Sequence, residues 1–279
     1  MARTGRMLVV WHLMAAAALC LARPAAAQRL FSADRGTASE QWGELETDRD
    51  SFTPATNTVG RRATLVESSY SFIENRFGPE THSLPELLMR YGLTKRFELR
   101  LGWNYEVGGP GTVSGSELGG EDLMTEQETR LLYGGKYQTT YQSGWLPESS
   151  FIVEGYTPTS GPSTASTVVA GPEWGWTFNN GWKWNSAFRY GTGYDRSDFL
   201  NQWSPSTVLK IPLGEKWNVH AEYFGIVSSH AERDFSLHFA SFGGHVLLTP
   251  NLEVGIRFGF GLNEQSARFF NNIGFGWRF

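Results

Sequence analysis

The chain has 279 residues, a formal net charge of −4, a single cysteine, 32 glycines and 14% aromatic residues. Arg3, Arg6 and Arg23 all fall in the first 27 residues, which hold no acid, so the remainder carries −7 and lacks the basic surface that a nucleic-acid partner would favour. Past residue 27 no apolar run reaches the roughly 20 residues of a spanning helix, so passage through a membrane has to be made by a closed β-barrel, whose ladders satisfy every backbone polar group in hydrocarbon.

Met1 to Ala27 has the layout of a secretory signal: Arg3 and Arg6, an apolar run from Met7 to Ala22, then Pro24 and three alanines, with cleavage expected before Gln28. Cys20 does not read as a lipoprotein cysteine, because Leu19 stands where a small residue is needed. A mature chain without cysteine is held by its ladders and packing alone. Residues 28–61 are polar, contain Pro54 and show no alternation. They are expected to form a periplasmic extension, part of it able to dock in a lumen.

From residue 62 to 279 about twelve segments alternate with the period of two of a pleated strand, each near the length of about 9–11 residues of a tilted membrane strand. In order they are 62–74, 86–93, 96–107, 128–141, 148–157, 167–178, 182–194, 203–212, 216–227, 236–248, 252–262 and 269–279. Short turns follow the even-numbered segments, among them Thr94-Lys95, Asn179-Asn180-Gly181 and Gly214-Glu215, and Asn-Gly is a strong hairpin signal. Longer links follow the odd-numbered ones, the longest being Gly108 to Gln127, rich in glycine and carboxylates. Alternating short turns and long loops is the layout of an outer-membrane barrel, and an even strand count places both termini in the periplasm. The expected fold is an all-β, transmembrane, antiparallel up-and-down barrel.

The third segment shows the two faces. Phe97, Leu99, Leu101, Trp103, Tyr105 and Val107 alternate with Glu98, Arg100, Gly102, Asn104 and Glu106. The eleventh repeats it, with Val254, Ile256, Phe258 and Phe260 against Glu253, Gly255, Arg257 and Gly259. The chain ends with Ile273, Phe275, Trp277 and Phe279 on one face, a terminal aromatic pattern that reads as a signal for the barrel-assembly machinery. Most tryptophans fall near strand ends, as interfacial girdles require.

Several stretches together resemble one family: ETDRDSFTPAT (Glu46 to Thr56), VESSYSFIE (Val66 to Glu74), HSLPELLMRYGLTKRFELRLGWNY (His82 to Tyr105), YTPTSGP (Tyr156 to Pro162) and the terminal GFGWRF. The chain is similar to the outer-membrane group catalogued as "putative MetA-pathway of phenol degradation", whose members are often labelled as transporters. The resemblance implies a barrel that moves small, aromatic or hydrophobic molecules, and it supplies no catalytic residue.

Following the alternation inward gives Glu67, Arg90, Glu98, Arg100, Arg130, Lys136, Glu154, Glu173, Lys183, Arg189, Lys210, Glu222, Glu253, Arg257 and Arg278 as lumen-facing candidates. Two readings stay open for them: ion-pair ladders that satisfy one another, and a polar pore lining that selects solutes. About twelve strands give a lumen between the filled interior of eight and the open channel of sixteen. For an enzyme, His220, His230, His238 and His245 are scattered and no Gly-x-Ser-x-Gly elbow exists. No spacing reads as a metal or cofactor site, so no catalytic, metal or cofactor residue is expected. The expected partners are outer-membrane lipid, the assembly machinery and a small solute. The function this supports is a narrow charged channel working by diffusion; a non-conducting structural barrel and a secreted ligand-binding β-sandwich are the alternatives.

Overall fold

The computed structural model describes residues 42–109, 127–161, 166–195, 198–229 and 234–279. Residues 1–41, which hold the expected signal segment and the start of the expected extension, and the body of the longest loop, residues 110–126, lie outside them. The strands are β1 (Thr64–Glu74), β2 (Thr81–Gly92), β3 (Phe97–Gly108), β4 (Gln127–Thr140), β5 (Glu148–Ser160), β6 (Thr167–Thr177), β7 (Lys183–Asp195), β8 (Asp198–Leu213), β9 (Trp217–Ser229), β10 (Phe235–Thr249), β11 (Leu252–Gly261) and β12 (Phe269–Arg278). Each pairs antiparallel with its neighbours in sequence, and β1 closes on β12 through Leu65↔Arg278 to Glu74↔Phe269. The twelve-strand barrel expected from the alternation is the one observed.

Two connections are much shorter than expected. Strand β2 starts at Thr81, because a bulge between Ser83 and Glu86 absorbs Leu84 and Pro85, and proline cannot donate to a ladder. Strand β8 starts at Asp198, the β7–β8 ladder running out to Asp195↔Asp198. At the opposite end Gly181 takes φ +82° in the turn between β6 and β7, a conformation that costs glycine nothing. Thr64 and Phe279 exchange backbone hydrogen bonds at this same turn end.

The faces are inverted relative to a soluble β-protein. On β3, Leu99 and Leu101 are each 46% exposed while Glu98 and Arg100 are buried. Ile256 and Phe260 on β11 are exposed while Glu253 and Arg257 are buried. Ile273, Phe275, Trp277 and Phe279 also point outward, and exposed Trp182, Trp217 and Trp277 ring the turn end. Such a surface is stable only against acyl chains.

The inner face changes character along the axis. Toward the turn end it carries the charged side chains; toward the loop end it carries Ile73, Tyr156, Val169, Phe224, Ile226, Leu237, Phe239 and Phe270, all buried. The apolar inner half is a departure from the strict oily-out, ionic-in alternation.

Ile256 tests the orientation. Ile256→Arg is expected to lower stability in lipid vesicles by about 2–4 kcal/mol, the cost of a cation near mid-bilayer on a lipid-facing position, read from the urea unfolding midpoint. An unchanged midpoint would mean this face does not meet lipid.

Candidate functional site

Residues 42–63 precede β1 and run inside the barrel, where Thr47, Asp48, Ser51, Phe52, Thr53 and Ala55 are at most 1% exposed. Lacking alternation, this inner segment adds no strand, so its backbone amides need other partners. Wall carboxylates supply them. Glu67 Oε2 accepts from the amides of Asp48 and Arg49 at 2.8 and 3.0 Å. Glu222 accepts from those of Phe52 and Thr53 at 3.0 and 2.7 Å, and Glu98 from that of Val59 at 2.9 Å. Bonds of this kind to an ionised acceptor are about twice as strong as neutral ones.

Asp48 is the hub. Its carboxylate lies 2.6 Å from Arg100 Nη1, 3.2 Å from Lys136 Nζ and 3.4 Å from Arg90 Nη1. It also accepts from the amide of Ala55 at 2.8 Å, which folds the segment back on itself. The same cations reach the wall: Arg90 to Glu98 and Glu67, Arg100 to Glu154 and Glu98, Lys136 to Glu173. Burial alone would raise the Asp48 pKa, but Arg90, Lys136 and Arg100 outweigh it and hold the carboxyl well below the usual aspartate range.

A second knot ties the segment to β10 and β11. His245 Nδ1 is 2.6 Å from Asp50, Thr47 donates to Glu253, and Arg49 Nη2 lies 3.2 Å from Asp50 and 3.7 Å from Glu253. Asp50, His245 and Glu253 approach within 4.8 Å of one another, residue types that can ligate a metal and that no sequence spacing brings together. The Arg49 guanidinium already compensates both carboxylates.

The remaining candidates are also engaged. Lys183 pairs with Glu44 and Glu46, and Arg278 donates to the carbonyl of Gly43. Arg189 donates to the Phe52 carbonyl at 2.9 Å, and Arg257 reaches Glu222 at 3.5 Å. Arg130 pairs with Glu128 near the loop end and is partly exposed. Among the described residues Lys210 and Arg278 make no ion pair within 4 Å, Arg278 being held by backbone carbonyls and Asn251 instead. His220 faces inward, His238 bonds Tyr223 on the outer face, and His230 lies outside the described residues.

Above this charged storey Phe52 stacks on Phe224, with ring centroids 4.3 Å apart and planes 13° apart, and Phe224 stacks on Phe239 at 4.9 Å. Phe270 meets Phe239 edge-on at 5.9 Å. The alternation located the wall charges, but it gave no role to Asp48 or Phe52, both within the ETDRDSFTPAT stretch, nor to the inward aromatic rings.

The family described as "Putative MetA-pathway of phenol degradation" matches residues 47–279. The fold is similar to the COG4313 outer membrane channel from Pseudomonas putida F1, with TM-score 0.57 and 11% identity over 80% of this chain and 98% of that one. It is also similar to the KdgM porin, with TM-score 0.47 and 8% identity over 76% and 98% of the two chains. No curated protein matches by sequence.

Removing the hub charge with Asp48→Asn leaves Arg90, Arg100 and Lys136 with one carboxylate fewer and is expected to cost about 3–5 kcal/mol, read as a lower guanidinium midpoint in micelles. Because the folded pKa is depressed, the wild-type contribution is fully present at neutral pH and is lost as pH falls below about 4, the ordinary aspartate value; protease sensitivity of residues 42–63 should rise there in wild type. A second variant acts sterically. A Cβ on Gly92 would meet the Gly60 carbonyl oxygen at 1.6 Å, so Gly92→Ala is expected to lift the end of the inner segment while the barrel still migrates as folded on unheated gels. Unaltered protease resistance of the segment in Gly92→Ala would show that this seat does not hold it.

Proposed function

We propose a passage role for this chain, which belongs to the family described as "Putative MetA-pathway of phenol degradation". It acts in the outer membrane of a diderm bacterium as a channel for small solutes of aromatic or hydrophobic character. The turn end faces the periplasm and the long loops face outward, with Ile273, Phe275, Trp277 and Phe279 read by the assembly machinery. The observation that carries the solute class is the apolar inner storey. A purely aqueous pore would not carry Phe224, Ile226, Leu237, Phe239 and Phe270 on its inner wall, whereas an apolar solute gains from leaving water there.

Selection by charge has less support, because the lumen charges are committed. Arg100 alone meets Asp48, Glu98 and Glu154. Charges locked in buried pairs fasten the inner segment and present little field to a passing solute. The same fastening supports a second reading, a barrel with a structural role and no conducting path.

Uptake into proteoliposomes separates the two. A small aromatic solute is expected to enter faster than a sugar of equal size. Phe239→Leu should keep that preference and Phe239→Gln should reduce it by roughly tenfold, the worth of one aromatic pair of about 1.5 kcal/mol. Equal rates for both solutes would remove the apolar storey from the pathway, and no uptake of either would leave the structural reading.

A further inference from the structure

Resting on that passage reading, we propose that Phe52 is a tethered stand-in for the solute, occupying a binding site for a small aromatic ring that carries an oxygen substituent. Its ring is held by the two strands that flank β8. Phe224 of β9 stacks on it at 4.3 Å, and the Arg189 guanidinium of β7 lies 4.5 Å from its centroid. Arg189 Nη2 also donates to the Phe52 carbonyl oxygen at 2.9 Å, which fixes the backbone from which the ring projects.

Strand β8 forms the floor between them. Ser204 lies opposite Arg189 in the β7–β8 ladder, and Ser206 lies opposite Phe224 in the β8–β9 ladder. Both hydroxyls are buried and both lack a hydrogen-bond partner, as does Gln202 Nε2 one step toward the loops. Buried hydroxyls without partners are uncommon and call for an explanation. A solute bearing a hydroxyl or carbonyl group would satisfy these, which Phe52, having no polar atom on its ring, does not.

Among the described residues the inner segment makes no bond to the floor strand itself. Its hydrogen bonds and ion pairs reach β1, β2, β3, β4, β5, β7, β9, β10, β11 and β12. Among the described residues none within hydrogen-bond or ion-pair distance reaches β6 or β8. The β8–β9 ladder is itself interrupted at Ser204 and Pro205. Phe52 can therefore withdraw from β8 without breaking a bond to that strand. A tethered ring competes at millimolar effective concentration, so only its removal reveals the full affinity of the site.

The test is isothermal titration of the detergent-solubilised barrel with p-cresol, toluene and 4-methylcyclohexanol. Phe52→Ala is expected to bind p-cresol about tenfold more tightly than wild type does, the loss of one tethered competitor. Toluene, lacking the hydroxyl, and 4-methylcyclohexanol, lacking the ring, should gain less. Adding Ser204→Ala and Ser206→Ala should bring p-cresol down to the level of toluene. Phe52→Leu keeps the apolar volume and should show the same order of ligands if Phe52→Ala fails to fold. No gain in a folded Phe52 variant, or an equal gain for the saturated analogue, overturns the site. Planar-bilayer conductance on the same samples keeps the two readings apart: binding without conductance sinks the passage role alone, and conductance without binding sinks the Phe52 site alone.

Discussion

Three cations from three successive strands, Arg90, Arg100 and Lys136, converge on Asp48, a carboxylate that none of those strands carries. Buried charges of this kind are tolerable only when paired, since removing an ion from water costs several kcal/mol that a single partner seldom recovers. The wall carboxylates Glu67, Glu98, Glu154 and Glu173 share the same cations, and Glu67 and Glu98 also accept from amides of the segment that carries Asp48. Wall and filling therefore satisfy each other, and neither has a complete set of partners alone.

This mutual dependence follows from the bilayer. With acyl chains outside, the barrel cannot place ionised groups on its outer face, and the alternation forces them inward. A lumen of twelve strands is wider than side chains from the wall can fill. The gap is closed in two ways along the axis: by polar backbone from residues 42–63 in the turn half, and by aromatic rings in the loop half. Phe52 belongs to both, its backbone fastened to Glu222 and Arg189 and its ring stacked on Phe224.

The strands, their number, the outward faces of β3 and β11 and the alternation of short and long connections were all legible in the sequence, because each is a local pattern of period two. The contents of the lumen were not. Asp48 meets Arg100 and Lys136 across 52 and 88 residues of chain, and no periodicity marks a segment that makes no ladder. The inward rings left a faint sign: Tyr223-Phe224 and Phe269-Phe270 place aromatics on both faces of a strand near the loop end, which a barrel with an aqueous interior would not do. The bulge at Ser83–Glu86 was hidden because Pro85 reads as a strand breaker when it stands alone in a sequence.

The inner segment runs without a break into β1, and β12 holds its beginning through Arg278 and the carbonyl of Gly43. The β1–β12 ladder joins residues farther apart in the chain than any other, so loop-closure entropy makes it the last to zip. A polypeptide whose final seam grips its own leading stretch cannot be filled afterwards: closing the cylinder and stowing its cargo of backbone are one event, and a sheet that curls before residues 42–63 are in place would trap them on the wrong side.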